Sequence, residues 1–297
     1  EQGIFTVDQE LIEQDVENLT HFISHQTGLI YGTPKNFIFS SESCAFDLIG
    51  ATYDREVAPG ELIQIHQGLL ESLSPLEKRA PKPCVFEHVY FSRPDSFVFG
   101  HSVMKARREM GRLLAQRHPA PADLVIPVPD SGVAAALGFA EASGIPMDFG
   151  LIRNHYVGRT FIEPKQSIRS FGVRIKLNPV RHLIEGKRVV LIDDSIVRGT
   201  TSKKIVEMVR QAGAREVHFR VSSPPTTHSC FYGIDTPSRE NLIASHMNNE
   251  AMNQFIGSDT LAFLTLEDLS QAVQDPAQGE GYCYACFNGD YAVPPPV

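Results

Sequence analysis

The sequence predicts an α/β domain built on a mainly parallel sheet, with a smaller piece in front. Three observations carry this. Val189-Val190-Leu191-Ile192 is a short apolar run rich in β-branched residues, as expected of a strand covered on both faces. It stops at Asp193-Asp194, passes a small-residue turn at Gly199-Thr200-Thr201-Ser202, and enters a helix marked by Ile205, Met208, Val209 and Ala212, with Gly213 as its stop. The order recurs earlier, where Ala122–Pro127 reads as a strand that leaves through Val128-Pro129-Asp130-Ser131-Gly132 into a helical run from Val133 to Ala142. Finally, 297 residues at 42% apolar are enough for one sizeable core and a lesser one.

The front, residues 1–67, is the least coherent part. Asn18 to Ser24 is compatible with a helix; Phe37–Ser40 and Glu61–Ile65 read as strands, with Pro59-Gly60 a turn. Residues 68–84 carry Ser72, Ser74, Pro75, Pro81 and Pro83 and read as a linker; 85–297 then form the main domain. Glu87-His88-Val89-Tyr90-Phe91 reads as a strand. Beyond it, Arg93 and Asp95 either serve a site or pair with each other. His101 to Arg117 is an amphipathic helix, through Val103, Ala106, Met110, Leu113 and Leu114. Asp148–Ile152 is a third strand, Glu216–Val221 a fourth and Leu261–Leu264 a fifth, the last set between helices at Asn248–Phe255 and Leu266–Val273.

A net charge of −8 argues against a nucleic-acid surface. No apolar run reaches membrane-spanning length and no signal peptide is visible, so a soluble, cytoplasmic protein is expected. Five cysteines, an odd number, do not suggest a secreted disulfide framework.

The central strand–acid–turn–helix order has a chemical meaning. Unpaired N–H groups and the helix dipole favour an anion at the start of the helix after Gly199, and Thr200, Thr201 and Ser202 add hydroxyl donors. Gly199 lets the backbone approach a ligand closely. Asp193 and Asp194 accept hydrogen bonds from sugar hydroxyls or hold Mg2+. A ribose 5-phosphate fits both halves. The Asp130-Ser131-Gly132 turn is a second anion site, although Ser131 is equally suited to cap a helix. Between the two lies a long aperiodic stretch with Arg153, Arg159, Lys165, Arg169, Arg174 and Lys176 against Glu163 alone, a basic loop in an acidic protein.

Asp193-Asp194-Ser195-Ile196-Val197-Arg198-Gly199-Thr200-Thr201-Ser202 resembles the phosphoribosyl pyrophosphate (PRPP) motif of type I phosphoribosyltransferases, in the form found in the glutamine PRPP amidotransferase family. Matching segments run from about Phe37 to about Asp290. The resemblance implies the type I phosphoribosyltransferase fold with helices on both faces of the sheet, preceded by a remnant of an Ntn-hydrolase glutaminase domain. It implies Asp193, Asp194 and Arg159 as catalytic residues. It implies PRPP contacts from Asp193, Asp194, Ser195, Val197, Arg198, Gly199, Thr200, Thr201, Ser202, Asp130, Ser131 and Lys176, and Mg2+ on Ser131, Asp193 and Asp194. Asn154–Ile162 resembles the family's lid. The activity implied is formation of 5-phosphoribosylamine and pyrophosphate from PRPP and ammonia, the first step of de novo purine biosynthesis. In the family the ammonia comes from glutamine through an N-terminal cysteine. No cysteine precedes Cys44, which sits in an apolar stretch, so ammonia dependence is expected. The alternatives are a nucleobase phosphoribosyltransferase, told apart by trying purine bases as acceptors, and a non-catalytic PRPP-binding regulator. A homo-oligomer is expected by the same resemblance.

Cys283-Tyr284-Ala285-Cys286 is a C-x-x-C pair. With the distant Cys84 and Cys230 it supplies four thiolates, whose spacing leaves zinc and a cubane iron–sulfur cluster both open. The resemblance, to the Bacillus-like subclass, implies a [4Fe-4S] cluster on Cys84, Cys230, Cys283 and Cys286, as a staple rather than an electron carrier.

Overall fold

The structure, a computed structural model, describes residues 29–33, 36–66, 69–75, 80–154, 177–274, 281–293 and 295. The expected helix near Asn18 and the stretch with Arg159, Lys165, Arg169, Arg174 and Lys176 lie outside the described residues. The chain divides into two units, one running to Pro83 with Ser92–Val103 added, the other made of Cys84–Phe91 and Met104–Val297.

The first unit is antiparallel. β1 (Leu29–Thr33) lies between β2 (Asn36–Ser40) and β3 (Tyr53–Glu56), and β4 (Leu62–His66) pairs with β5 (Leu69–Leu73) as a hairpin. β5 thus occupies the front of the stretch read as linker. The two-residue strands β6 (Phe97–Val98) and β7 (His101–Ser102) form a second small ribbon. The Glu42 carboxylate accepts the Arg93 amide at 2.6 Å and the Ser96 hydroxyl at 2.8 Å, which fastens the 92–103 segment to this unit. Arg93 and Asp95 pair with each other at 2.7 Å while both remain more than half exposed, so the pair is a surface contact of little energetic consequence. Cys44 opens a one-turn helix, Cys44–Asp47, and is buried; burial pushes its thiol up, as for an inert core cysteine.

The second unit holds a four-stranded parallel sheet, in the order β13 (Thr260–Phe263), β12 (Glu216–Val221), β11 (Arg188–Asp193) and β8 (Leu124–Pro127). β11 and β12 are buried along nearly their whole length, which is why they read as continuous apolar runs rather than alternating ones. Leu191, Phe219, Ile205, Val209 and Ile126 meet in the core. The expected strand at Asp148–Ile152 shortens to β9 (Leu151–Arg153). It pairs antiparallel with β10 (Leu177–Pro179), outside the main sheet.

Two helices, Val103–Arg117 and Val133–Ser143, cross in backbone contact. A Cβ on Gly111 would fall 1.8 Å from the Ala135 carbonyl oxygen, and one on Gly138 would fall 1.8 Å from that of Arg108. The closing helices follow the sequence signals: Asn248 caps Asn249–Ile256 by accepting the Ala251 amide, and Thr265 caps Leu266–Ala272 by accepting that of Asp268. No described helix is long and apolar enough to cross a membrane.

One element differs in kind from its expectation. Glu87–Phe91 is a π-helical turn, not a strand. Its amides bond backward along the chain, His88 to the Val85 carbonyl at 3.0 Å and Val89 to the same oxygen at 3.3 Å. The buried Arg107 guanidinium then takes up the carbonyls of His88 at 2.8 Å and Glu87 at 3.4 Å. Those donors from a distant helix take up the carbonyls of the turn's first two residues, a support that a local pattern of apolar residues does not reveal.

Candidate active site

The site is built where β11 and β8 end. The Ile192 carbonyl accepts the Val128 amide at 2.8 Å, so the two strand exits lie side by side. Gly132 makes this possible: a Cβ there would stand 2.3 Å from the Ile192 carbonyl oxygen and 2.9 Å from that of Val128. The Asp130–Ser131–Gly132 turn is thereby brought onto the acidic pair. The Ser131 hydroxyl donates to Asp194 Oδ1 at 2.5 Å, and that of Ser195 to Asp194 Oδ2 at 2.6 Å. Gly132 occupies the N-cap position of the Val133–Ser143 helix and Ser131 makes no capping bond, so of the two roles open to Ser131 the structure realises the one toward the carboxylates.

Asp193 and Asp194 are both buried, at 7% and 6% exposure. Asp193 Oδ1 accepts the Asp194 amide at 3.0 Å. Burial, then the neighbouring Asp194 charge, hold the Asp193 carboxyl well above the usual carboxylate range. A buried pair of like charges is a site that demands a cation or hydroxyl donors. Ser222, just past β12, anchors the pair from behind: its amide and hydroxyl both donate to the Asp193 carbonyl, at 2.9 and 3.2 Å.

The helix after the acids begins three residues earlier than the sequence suggests. It spans Thr200–Gln211, so Thr200, Thr201 and Ser202 are its first turn and not a preceding loop. Gly199 caps it in the left-handed region, φ 73°, which a side chain would strain. No acidic residue lies in the first turn, and Lys203 follows directly on Ser202. A helix start of that kind is electrostatically unfavourable alone and favourable with an anion bound. Thr200 and Thr201 are exposed, Ser202 is buried, and Arg198 is exposed beside Gly199. The Val197 carbonyl is taken up by the Ile243 amide at 2.9 Å. Asp130, expected among the PRPP contacts, is ion-paired with Arg153. Arg159 and Lys176, the remaining site residues named from the sequence, lie outside the described residues.

Three contacts were illegible in the sequence. Ser222, Ile243 and Phe255 reach the motif from segments 20 to 60 residues away, and none carries a local signal beyond its own element.

The four cysteines named together above also approach one another. Cys84 and Cys283 form an isolated parallel bridge, with the Val85 amide on the Cys283 carbonyl at 3.3 Å. Thr227 and His228 amides donate to the Cys286 carbonyl at 3.0 and 3.1 Å. The Tyr232 amide donates to the Cys230 sulfur at 3.3 Å. Burial first, then the Glu87 charge and the neighbouring Cys283 and Cys230 thiols, push the Cys84 thiol up to about 12, against a lowering backbone hydrogen bond from Phe86. Cys286 is raised well above its usual value by burial and by Cys84, Cys283 and Cys230. All are free thiols. Among the described residues no three His, Cys, Asp or Glu meet at the spacing that one metal ion needs.

Residues 101–225 match the Phosphoribosyl transferase domain family. The chain is 55% identical over 269 residues to a chloroplastic amidophosphoribosyltransferase of Vigna aconitifolia, covering 90% of this chain and 55% of that protein. To the amidophosphoribosyltransferase of Bacillus subtilis it is 52% identical, covering 86% and 54%. Among solved structures, the glutamine PRPP amidotransferase from B. subtilis complexed with ADP and GMP superposes with a TM-score of 0.83 at 50% identity, over 90% of this chain and 59% of that one. The chain thus spans little more than half the length of the relatives it matches.

Proposed function

The chain belongs to the amidophosphoribosyltransferase family, and from that premise we propose that it displaces pyrophosphate from C1 of PRPP with ammonia, giving 5-phosphoribosylamine. The observation that carries this is the buried Asp193–Asp194 pair held directly in front of an anion-ready helix start. In this reading the Thr200–Ser202 amides and hydroxyls hold the 5-phosphate. Asp193 and Asp194 hold the ribose hydroxyls or the cation, and Ser131 faces the leaving pyrophosphate. The ammonia lone pair forms the C1–N bond as the C1–O bond to pyrophosphate breaks, and the ammonium proton passes to solvent. Positive charge grows at C1 in between. The two carboxylates stabilise it and fixed backbone donors orient the sugar, so proximity and electrostatics supply the rate. Magnesium, when bound, neutralises pyrophosphate charge; the raised Asp193 and the hydroxyl of Ser131 fit such an ion.

We further propose a [4Fe-4S] cluster on Cys84, Cys230, Cys283 and Cys286. What supports it is that these thiols lie close enough to raise one another, as Cys84, Cys283 and Cys230 raise Cys286, and that four thiolates are the ligand set such a cluster takes. Such a cluster would fasten the tail to the transferase core.

The test is pyrophosphate release from PRPP and Mg2+ with ammonium chloride as nucleophile. Turnover should rise with ammonium. Asp193→Asn and Asp194→Asn should each weaken PRPP binding about 10- to 100-fold, the value of hydrogen bonds to a charged group. PRPP bound without turnover, or turnover only with a purine base, would replace this reading with a sensor or a salvage enzyme.

A further inference from the structure

The phosphate-binding bend is not self-supporting. Gly199 is left-handed and buried, and the space on its far side is filled. A Cβ built on it would stand 2.7 Å from Ile243 Cδ1 and 3.2 Å from Phe255 Cε1. Ile243 grips the same bend a second way, its amide donating to the Val197 carbonyl at 2.9 Å. It is 3% exposed and sits in a 3-10 turn, Ile243–Ser245, whose own carbonyl at Ile243 accepts the Met247 amide at 3.0 Å. Phe255 in turn carries Lys203 of the helix's first turn, Nζ 5.0 Å from the ring centroid. One wall therefore touches the bend at its carbonyl, at its glycine and at the first turn beyond it.

We propose that Ile243, backed by Phe255, is a positioning residue that sets the affinity of this bend for the 5-phosphate of the substrate. It touches no substrate atom. It presses on the far side of Gly199 and so fixes the direction of the amides that follow. This rests on the reading of the bend as the ribose 5-phosphate cradle. The opposite anion turn, Val128–Gly132, is held by other contacts: the Ile192 carbonyl and the Ser131–Asp194 bond. Loss of the wall should therefore weaken recognition of one end of PRPP and spare the other.

Ile243→Val removes Cδ1, the atom nearest Gly199, and little else. Its cost to folding is small, so it keeps the test open if Ile243→Ala does not fold. Binding of ribose 5-phosphate and of inorganic pyrophosphate, each with Mg2+, is measured by titration calorimetry. Ile243→Ala should weaken ribose 5-phosphate about tenfold and Ile243→Val about threefold, with pyrophosphate changed less than about twofold. Ile243→Leu, which restores a terminal methyl, should recover most of the loss. KM for PRPP should follow the ribose 5-phosphate affinity while kcat stays within about twofold. Unchanged ribose 5-phosphate affinity in Ile243→Ala or Ile243→Val, or equal weakening of both ligands as in a general loosening, overturns the proposal. Failure of the wild-type chain to bind ribose 5-phosphate or PRPP instead overturns the cradle itself.

Discussion

Asp193 concentrates the conflict of the site in one carboxyl. It is buried against a second carboxylate, and its pKa is raised. The native state therefore holds a proton that the unfolded chain releases at lower pH. Its contribution to stability is present below the ordinary carboxylate range and is lost as pH rises toward its raised value. Asp193→Asn keeps the shape and removes the charge. Urea unfolding of the ligand-free protein should show the wild type losing stability relative to Asp193→Asn as pH climbs from about 4 to 7. A wild type that gains on the variant over that range would contradict the burial argument. Saturating Mg2+ and PRPP should reverse the order, because the ligands favour the charge that the apo site resists. The acids were legible from the sequence because a small-residue turn and a helix follow them; alone, two carboxylates ending an apolar strand read as solvated acids. Their coupling to Ser131, 63 residues earlier, was legible only from the second strand-to-helix turn.

Among the elements, the crossing of Val103–Arg117 and Val133–Ser143 depends on two glycines that the helical pattern treats as interruptions. Each stands where a methyl would meet backbone, 1.8 Å from a carbonyl oxygen, and backbone cannot rotate out of the way as a side chain can. Gly138→Ala, favourable for an isolated helix, should therefore destabilise the protein by about 2 to 3 kcal/mol, read as a lower midpoint in urea with an unchanged slope. A neutral or stabilising result would show that the helices can separate freely. Element types were mostly visible in the sequence because β11, β12 and the capped helices near the end follow their local periodicity. The π-turn at Glu87–Phe91 was not, because Arg107 on a distant helix supplies the donors that make it possible.

At the scale of the whole molecule, Cys84, Cys230, Cys283 and Cys286 join the start of the second unit, its middle and its tail. If they hold a cluster, metal binding is folding energy for that unit. Freshly purified protein should show broad absorbance near about 400 nm. Cys286→Ser should abolish it and lower Tm by at least about 5 °C, an effect of a few kcal/mol on a domain of this size. A colourless wild type with the Tm of Cys286→Ser would leave the four thiols as packing only. Buried Arg220 belongs to the same scale. Among the described residues it has no carboxylate partner; it donates to the His118, Pro119 and Phe219 carbonyls and to Thr260, which joins β12 to the end of a helix about 100 residues earlier.

The sequence by itself determined the parallel α/β layout, the acidic pair before a small-residue turn and helix start, and the set of four cysteines, because each rests on neighbours along the chain: apolar period, turn chemistry, residue type. Only the tertiary structure decided what stands behind those groups. Ile243 and Phe255 against Gly199, Ser222 on the Asp193 carbonyl, Arg107 on the π-turn and Arg153 on Asp130 are all pairings across the fold. A side chain's local pattern shows which face it buries, but not which distant group fills the space opposite.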